Sequence, residues 1–339
     1  MIVIEKPKAI QENNNSFYIS KNITKLVEPL FLENFEIQDF LGSGSESIVY
    51  KVLIKKIKIN VAMKIFTTKN KEKSIININE IKITKKLKHN NIINYYFSTE
   101  LKKNELYCII TDYAKYGNLK EFHDKLLDNN YLSESLLCFF TYQILNGLKY
   151  IHLRKICHFD LKPHNIVIDE YLNIKIIDFS VSLDYSNINT NQIQLPFRGT
   201  PFYMAPEVIK RKIINLKDIN KVDLYSLGVI LYYLAFKSYP FGLNKEDNDD
   251  YNKIYKKITK GLTINNKAHF YSSYFINFLN ELLVKDIKKR INVNEALNNY
   301  WVKGAKILYD EKDKIYDNTN FFDYLINERF KTFNDHIKK

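Results

Sequence analysis

The sequence predicts an α+β fold, with a small β-rich lobe carrying one helix followed by a larger, mainly α lobe. Three observations carry this expectation. Runs rich in β-branched and aromatic residues crowd between Phe35 and Tyr113. Segments with helical apolar spacing dominate from Leu119 to Trp301. No internal repeat at solenoid periods breaks that order.

In chain order, Phe35–Leu41, Ile48–Lys58 and Asn60–Phe66 read as strands, the first two separated by a loop containing Gly42 and Gly44. Lys73–Lys88 reads as an amphipathic helix, and Ile92–Ser98 and Leu106–Tyr113 as two more strands. Helical spacing then marks Leu119–Leu127, Ser133–Arg154, Val222–Phe236, Asp249–Lys260, Tyr271–Val284 and Val293–Trp301. Ser133 with Glu134, and Asn292 with Glu295, read as N-terminal caps. Two short strand-like pieces, Asn165–Asp169 and Ile174–Asp178, interrupt the helices. The expected organisation is an extension over 1–33, with a short helix around Ile23–Leu32, and one domain over 34–301 dividing near 112–113. A charged, aromatic tail of helix or loop covers 302–339.

Composition excludes several classes. The chain of 339 residues is 45% hydrophobic and 26% charged, globular averages that rule out disorder along its whole length. Three cysteines, Cys108, Cys138 and Cys157, make no disulfide framework and share no metal-ligand spacing, so a reducing compartment is expected, cytoplasm or nucleus. The start has no apolar stretch suited to a signal peptide, so secretion is not expected. The longest nearly uncharged run, Leu224–Phe236, has 13 residues, against roughly 20 needed to span a bilayer. The net charge of +13 comes from 46 Lys against 5 Arg, beside 45 Ile and 39 Asn. Those abundant residues have A/T-rich codons, so we read the excess as codon bias. No long basic arm or aromatic-interleaved stripe points to nucleic acid.

Chemistry enters with His158-Phe159-Asp160-Leu161-Lys162-Pro163-His164-Asn165. It is followed by Ile177-Asp178-Phe179-Ser180, and then by Gly199-Thr200-Pro201 and Ala205-Pro206-Glu207. This ordered set resembles the eukaryotic protein kinase family, whose signature is H-R-D-L-x-x-x-N, D-F-G and A-P-E. The resemblance covers about 34–301 and implies a bilobal protein-kinase-like fold. It implies that Asp160 accepts the proton of an attacking hydroxyl and that Lys162 neutralises the transferring phosphate. Thr200 joins them in the expected catalytic set. Asn165 and Asp178 offer hard oxygen ligands suited to Mg2+, with Mn2+ as an alternative. About 13 residues apart, they are expected at the ends of two facing strands.

Upstream, Leu41-Gly42-Ser43-Gly44-Ser45-Glu46-Ser47-Ile48-Val49 resembles the family's glycine-rich, phosphate-covering loop, with Ser47 in place of the third glycine. Val61-Ala62-Met63-Lys64 matches its V-A-I-K strand, which implies that Lys64 holds the α and β phosphates and pairs with Glu80. Val49 and Ala62 would then enclose adenine. Thr111-Asp112-Tyr113-Ala114 resembles the hinge that binds adenine through backbone groups, and Asn118 stands where the family meets the ribose. Val167 completes the expected ATP-binding set. The resemblance also pairs Arg290 with Glu207, and Trp301 matches the family's closing helix.

Besides Ser47, three further positions depart from the family. Phe159 replaces the arginine that usually binds an activation-loop phosphate, Ser180 replaces the glycine of D-F-G, and Thr84 occupies a usually apolar place. The position that often carries the phosphorylated residue falls on Pro196, between Leu195 and Phe197. Ser182, Tyr185, Ser186 and Thr190 remain as other acceptors. The resemblance implies a serine/threonine protein kinase using ATP, Mg2+ and a protein substrate, expected as a monomer, while the departures at Phe159 and Pro196 predict activity without activation-loop phosphorylation. The competing reading is an impaired pseudokinase acting as a nucleotide-binding scaffold.

Overall fold

The computed structural model describes residues 35–44, 47–66, 71–101, 106–126, 132–247, 250–260, 262 and 268–315. The expected helix around Ile23–Leu32 and the tail from 316 lie outside the described residues. The chain divides into two compact units, one running through Asn77 together with Tyr95–Tyr113, the other made of Ile78–Asn94 and the chain from Ala114.

The first unit is a five-stranded antiparallel sheet: β1 (Phe35–Ser43), β2 (Ser47–Ile54), β3 (Ile59–Phe66), β4 (Tyr95–Leu101) and β5 (Leu106–Asp112), in the order β1-β2-β3-β5-β4. Strict alternation builds its core. Ile48, Tyr50 and Val52 meet Val61, Met63, Ile65, Cys108 and Ile110 on one face. The register sets Val49 opposite Lys64 and Lys64 opposite Ile109, so these three share the other face. Two sequence expectations shift here. The strand expected to run to Lys58 ends at Ile54, because Lys55–Lys58 form a turn in which Lys58 takes a φ of 53° and donates to Ile54 O. Ile92 and Ile93 look like strand residues by composition, yet they belong to the second unit. Ile92 bridges Ile176, and Ile93 N–H donates to Ile176 O at 3.0 Å.

Helix α1 (Lys71–Lys86) enters the second unit at Ile78. There its C-terminal end is fixed by the Lys88 N–H, which donates to Tyr150 Oη at 2.7 Å, and by His89 packed on the Tyr150 ring. After α2 (Leu119–Leu126), α3 (Glu134–Leu153) begins at the expected cap, where Ser133 accepts from Leu136 N–H. Short strands follow: β6 (Ile156–Cys157), β7 (Ile166–Ile168), β8 (Ile174–Ile176), β9 (Leu183–Asp184), β10 (Gln192–Gln194) and β11 (Ile213–Asn215). The two-residue and three-residue pairs β6–β9 and β10–β11 were too short to read from sequence. The one-turn α4 (Pro206–Ile209) lies between β10 and β11.

Helix α5 (Lys221–Phe236) is apolar on nearly every face and buried almost throughout, which accounts for the uncharged run in the sequence. Gly228 lets α7 (Ser273–Leu282) and the following Leu283 approach closely, since a Cβ there would sit 2.9 Å from Leu282 and Leu283. Around it lie α6 (Tyr251–Lys260), α8 (Val293–Asn298) and α9 (Tyr300–Ile315). Asn292 and Glu295 form the expected capping box. The single helix expected over Val293–Trp301 is two helices. Asn299 turns extended and its Oδ1 accepts from Trp301 N–H, which starts α9 afresh and carries it to Ile315. The Trp301 indole donates to buried Glu134 Oε1 at 2.8 Å.

One buried carboxylate organises the centre of this unit. Asp223, in the first turn of α5, is fully buried. Its Oδ1 accepts from Phe159 N–H at 2.9 Å, and its Oδ2 accepts from His158 N–H at 2.9 Å and from His152 Nε2 at 2.8 Å. Burial alone would raise this carboxyl, but the bond from His152, with the charges and N–H groups around it, holds it below the ordinary carboxylate range. Its stabilising contribution is therefore present above the unfolded carboxylate value and lost as pH falls through the folded one. Asp223→Asn should cost about 3 kcal/mol at pH 7, because an amide nitrogen cannot accept from these N–H groups. Urea melts at pH 7 and pH 3 should show the gap between wild type and variant closing in acid.

Candidate active site

Asp160 follows directly from the backbone that Asp223 grips. Phe159 holds a left-handed φ of 66°, costly for an aromatic residue. The Asp160 N–H donates to His158 Nδ1 at 3.2 Å, and His158 Nε2 in turn reaches Ile177 O at 3.0 Å. The Asp160 carboxylate then gathers the expected residues. Thr200 Oγ1 donates to Oδ1 at 2.7 Å, and Lys162 Nζ lies 2.8 Å from Oδ2. Lys162 also donates to Thr200 Oγ1 at 2.8 Å. Asn165 Nδ2 donates to Asp160 O at 2.9 Å and Oδ2 at 3.1 Å. Asp160, Lys162, Thr200 and Asn165 thus form one hydrogen-bonded cluster within the second unit.

Asn165 and Asp178 flank β7 and β8, with Ile166 paired to Ile176, as the spacing of two facing strands predicts. Ile177 N–H donates to Asn165 O at 3.0 Å, which brings the two side by side in the chain trace. Because Asn165 Nδ2 is committed to Asp160, its Oδ1 is the atom left to meet a cation. A carboxylate and an amide oxygen suit Mg2+, which takes its remaining ligands from phosphates and water. Among the described residues no group of three or more His, Cys, Asp or Glu gathers as a metal cage. Asp178 has a φ of 64°, and Phe179 behind it is fully buried with its ring 5.1 Å from that of His158.

Asn118 and Val167 face one another in an antiparallel bridge, and Asn118 Oδ1 caps α2 by accepting from Glu121 N–H at 2.9 Å. Ala114 belongs to the same unit, where Gly117 N–H donates to its carbonyl. Glu80, on α1, is buried. In the first unit, Gly42 pairs with Val49 and Ser43 with Ile48, while Gly44 N–H donates to Ser47 O at 2.8 Å. Ala62 lies between Lys51 and Thr111, and Lys64 Nζ stands 5.4 Å from the centre of the Phe66 ring. Leu41 is exposed at the start of this hairpin, and Asp112 accepts from Tyr96 Oη at 2.7 Å. Ser45 and Glu46 lie outside the described residues.

The family profile described as "Protein kinase domain" matches residues 35–302. The chain belongs to the protein kinase family. It is 32% identical over 294 residues to a "Carbon catabolite-derepressing protein kinase" of Candida glabrata, covering 86% of this chain and 45% of that protein. It is 32% identical over 273 residues to a "Probable serine/threonine-protein kinase nek2" of Dictyostelium discoideum, covering 78% and 62%. It is 31% identical over 294 residues to a "CBL-interacting serine/threonine-protein kinase 12" of Arabidopsis thaliana, covering 85% and 57%. The chain thus spans about half the length of the curated relatives it matches.

Phe159 stands where the family signature has arginine. Arg198, on the segment leading to Thr200, places its guanidinium 5.9 Å from the centre of the Phe159 ring and donates to Val181 O at 2.9 Å. Gly199 fits against the same backbone, since a Cβ there would stand 2.3 Å from Phe159 O. Leu195 is buried in the core of this unit. Ser182 Oγ donates to His158 O at 3.1 Å, and Asn79 of α1 donates to Ser182 O at 3.2 Å. The sequence singled out neither Arg198 nor Asn79. A lone arginine and an asparagine in an Asn-rich chain carry no local signal, though the scarcity of arginine was a clue. Glu207 and Arg290 form the expected buried pair, bidentate at 2.7 and 3.1 Å.

Thr200→Val keeps shape and removes the hydroxyl that ties Asp160 to Lys162. Hydrogen bonds to charged groups are worth about 1.5–3 kcal/mol, so kcat should fall about ten- to a hundredfold. Thr200→Ser should stay near wild type. Steady-state kinetics on a peptide substrate, with a thermal shift by Mg-ATP as the control for binding, checks both.

Proposed function

We propose that this chain transfers the γ-phosphoryl group of ATP to serine or threonine hydroxyls of protein substrates. The observation that carries the reading is the Asp160 carboxylate held between Lys162, Thr200 and Asn165. In this reading the substrate hydroxyl oxygen attacks the γ phosphorus, the bond to the bridging oxygen breaks, ADP leaves, and Asp160 takes the hydroxyl proton. Lys162 balances charge on the transferring group. Asn165 and Asp178 would hold Mg2+, or Mn2+ as a substitute, and the bound cation would supply charge neutralisation of the triphosphate. Lys64 holds the α and β phosphates, with Glu80 as the expected partner of its ammonium. The loop Leu41–Val49, with Ala62, the hinge residues Asp112 and Ala114, Asn118 and Val167, binds the rest of the nucleotide. The names of the relatives support the serine/threonine branch.

We place the enzyme in cytoplasm or nucleus and read it as a monomer; the reducing compartment is supported by Cys108, Cys138 and Cys157, which are buried and form no disulfide. Among the described residues no helix is long and apolar enough to cross a membrane. Activity needs no activation-loop phosphate in this account. The support is Phe159 packed under Arg198, and Pro196 at the usual acceptor place. Of the remaining hydroxyls, Ser182 and Tyr185 are buried and bonded, Tyr185 Oη donating to Asn220 Oδ1 at 3.0 Å. Ser186 and Thr190 are exposed.

Saturating Mg-ATP at about 100 times its dissociation constant should stabilise the fold by roughly 2.7 kcal/mol. Asp160→Asn should keep that shift and lose on the order of 10²–10⁴ in phosphotransfer. A melt unmoved by Mg-ATP, or full activity in Asp160→Asn, would sink the assignment.

A further inference from the structure

Arginine is scarce in this chain, five residues against 46 lysines. All four that fall among the described residues stand over an aromatic ring: Arg154 over Tyr150 at 3.6 Å, Arg198 over Phe159 at 5.9 Å, Arg211 over Phe197 at 5.1 Å and Arg290 over Tyr225 at 4.9 Å. Three of them also donate to an oxygen: Arg154 to Tyr150 O, Arg198 to Val181 O and Arg290 to Glu207. Arg211 is the exception. It is exposed, and no protein oxygen accepts from its guanidinium among the described residues. A stacked guanidinium is a planar fork already fixed in place, and its natural partner is a carboxylate.

The surroundings raise the same expectation. Arg211 sits at a left-handed φ of 48° between Lys210 and Lys212, all three exposed. Lys210 Nζ lies 4.4 Å from the centre of the Tyr255 ring and reaches only the neutral Asn252 Oδ1. No ion pair involves these three residues among the described residues. Of the carboxylates on the surrounding elements, Glu207 pairs with Arg290, Asp218 with Lys221, and Asp247 with Lys253 at 2.8 Å and Lys257 at 2.6 Å, while the exposed Asp250 beside Tyr251 accepts from Lys253 N–H at 2.9 Å. Phe197, beneath Arg211, is wedged edge-on against Tyr251 at 4.7 Å. Phe197 is three residues from Thr200, at most about 10 Å of chain, and Thr200 is bonded to Asp160.

We propose that Lys210, Arg211 and Lys212 select acidic substrate segments, with Arg211 as the specificity-determining residue that pairs with a substrate Asp or Glu. This rests on the phosphotransfer reading above and names the substrate class of that site. The geometry places the preferred acid about two to five residues from the phosphorylated hydroxyl, at 3.3–3.6 Å per extended residue. Lysines at the flanks raise the encounter rate, and Arg211 gives the positional preference.

The test is a positional-scanning set of serine and threonine peptides, each with a single Glu, Gln or Lys placed up to five residues from the hydroxyl. It uses the full chain, with kcat/KM and peptide binding by fluorescence anisotropy both read. Wild type should favour Glu over Lys about five- to tenfold at one position, the scale of one well-formed exposed pair with two flanking charges. The preference should shrink as salt rises. Arg211→Gln should erase the positional preference and leave kcat/KM on the Gln peptide within about twofold, since the lost term is a pairing energy. Arg211→Lys should recover only part of it. Equal rates on Glu and Lys peptides, or a Glu preference unchanged in Arg211→Gln, would overturn the inference and leave the kinase reading standing. Anisotropy that favours the Glu peptide with no phosphotransfer on any peptide would overturn the kinase reading and leave acidic selection standing. Matched thermal melts for wild type and variants guard against misfolding.

Discussion

The second unit depends on a buried carboxylate. Asp223 sits at the start of a helix with almost no polar surface, and it takes up the N–H groups of His158 and Phe159. Those two N–H groups have no strand partner at that point, because the chain is bending sharply through Phe159. Left unpaired in the core they would each cost about 1–3 kcal/mol. Asp223 converts that liability into rigidity, since two bonds to adjacent amides fix the peptide plane between them. The residue that follows is Asp160. The direction of the Asp160 carboxylate is therefore set from behind, by the buried Asp223.

From there the order spreads through short contacts. Asn165 and Lys162 secure Oδ2 of the Asp160 carboxylate, and Thr200 secures Oδ1. Thr200 arrives on a segment whose own path is fixed by Gly199 pressed against Phe159 O and by Arg198 over the Phe159 ring. A ring stands at Phe159 where the family signature has arginine, and the Arg198 guanidinium lies 5.9 Å from its centre. Burial costs Arg198 some of its solvation, which a stacked, weakly hydrated guanidinium tolerates better than an ammonium would. Asn79 and Ser182 add neutral bonds around the same segment. Packing, neutral hydrogen bonds and the Lys162–Asp160 ion pair together hold the cluster.

The sequence made the long periodic elements legible. The alternation of β2 and β3, the caps at Ser133 and Asn292, and the all-apolar α5 follow from side-chain periodicity and capping chemistry, and the structure has them. The cluster around Asp160 was legible from motif order, and so was the Glu207–Arg290 pair. What was not legible has physical causes. Two-residue and three-residue strands such as β6 and β11 carry no period. Ile92 and Ile93 have strand composition but are held by single bridges to β8. The break at Asn299 depends on one side chain accepting from Trp301 N–H. Arg198 and Asn79 act over long sequence separation, so nothing next to them in the chain marks their partners. The work of Asp223 was hidden for the same reason: it lies 64 residues from the Phe159 N–H it accepts.

The central claim is that buried contacts, without a phosphate, hold the phosphotransfer cluster in working order. The most direct test is the initial rate of peptide phosphorylation by protein stripped with a broad phosphatase that is then removed, compared with untreated protein and with Phe159→Arg. The account predicts a stripped rate close to the untreated one, with no lag, and no gain from Phe159→Arg, whose charge would enter a site already filled by Arg198. A rate that collapses on stripping and returns only after a lag of autophosphorylation would contradict it.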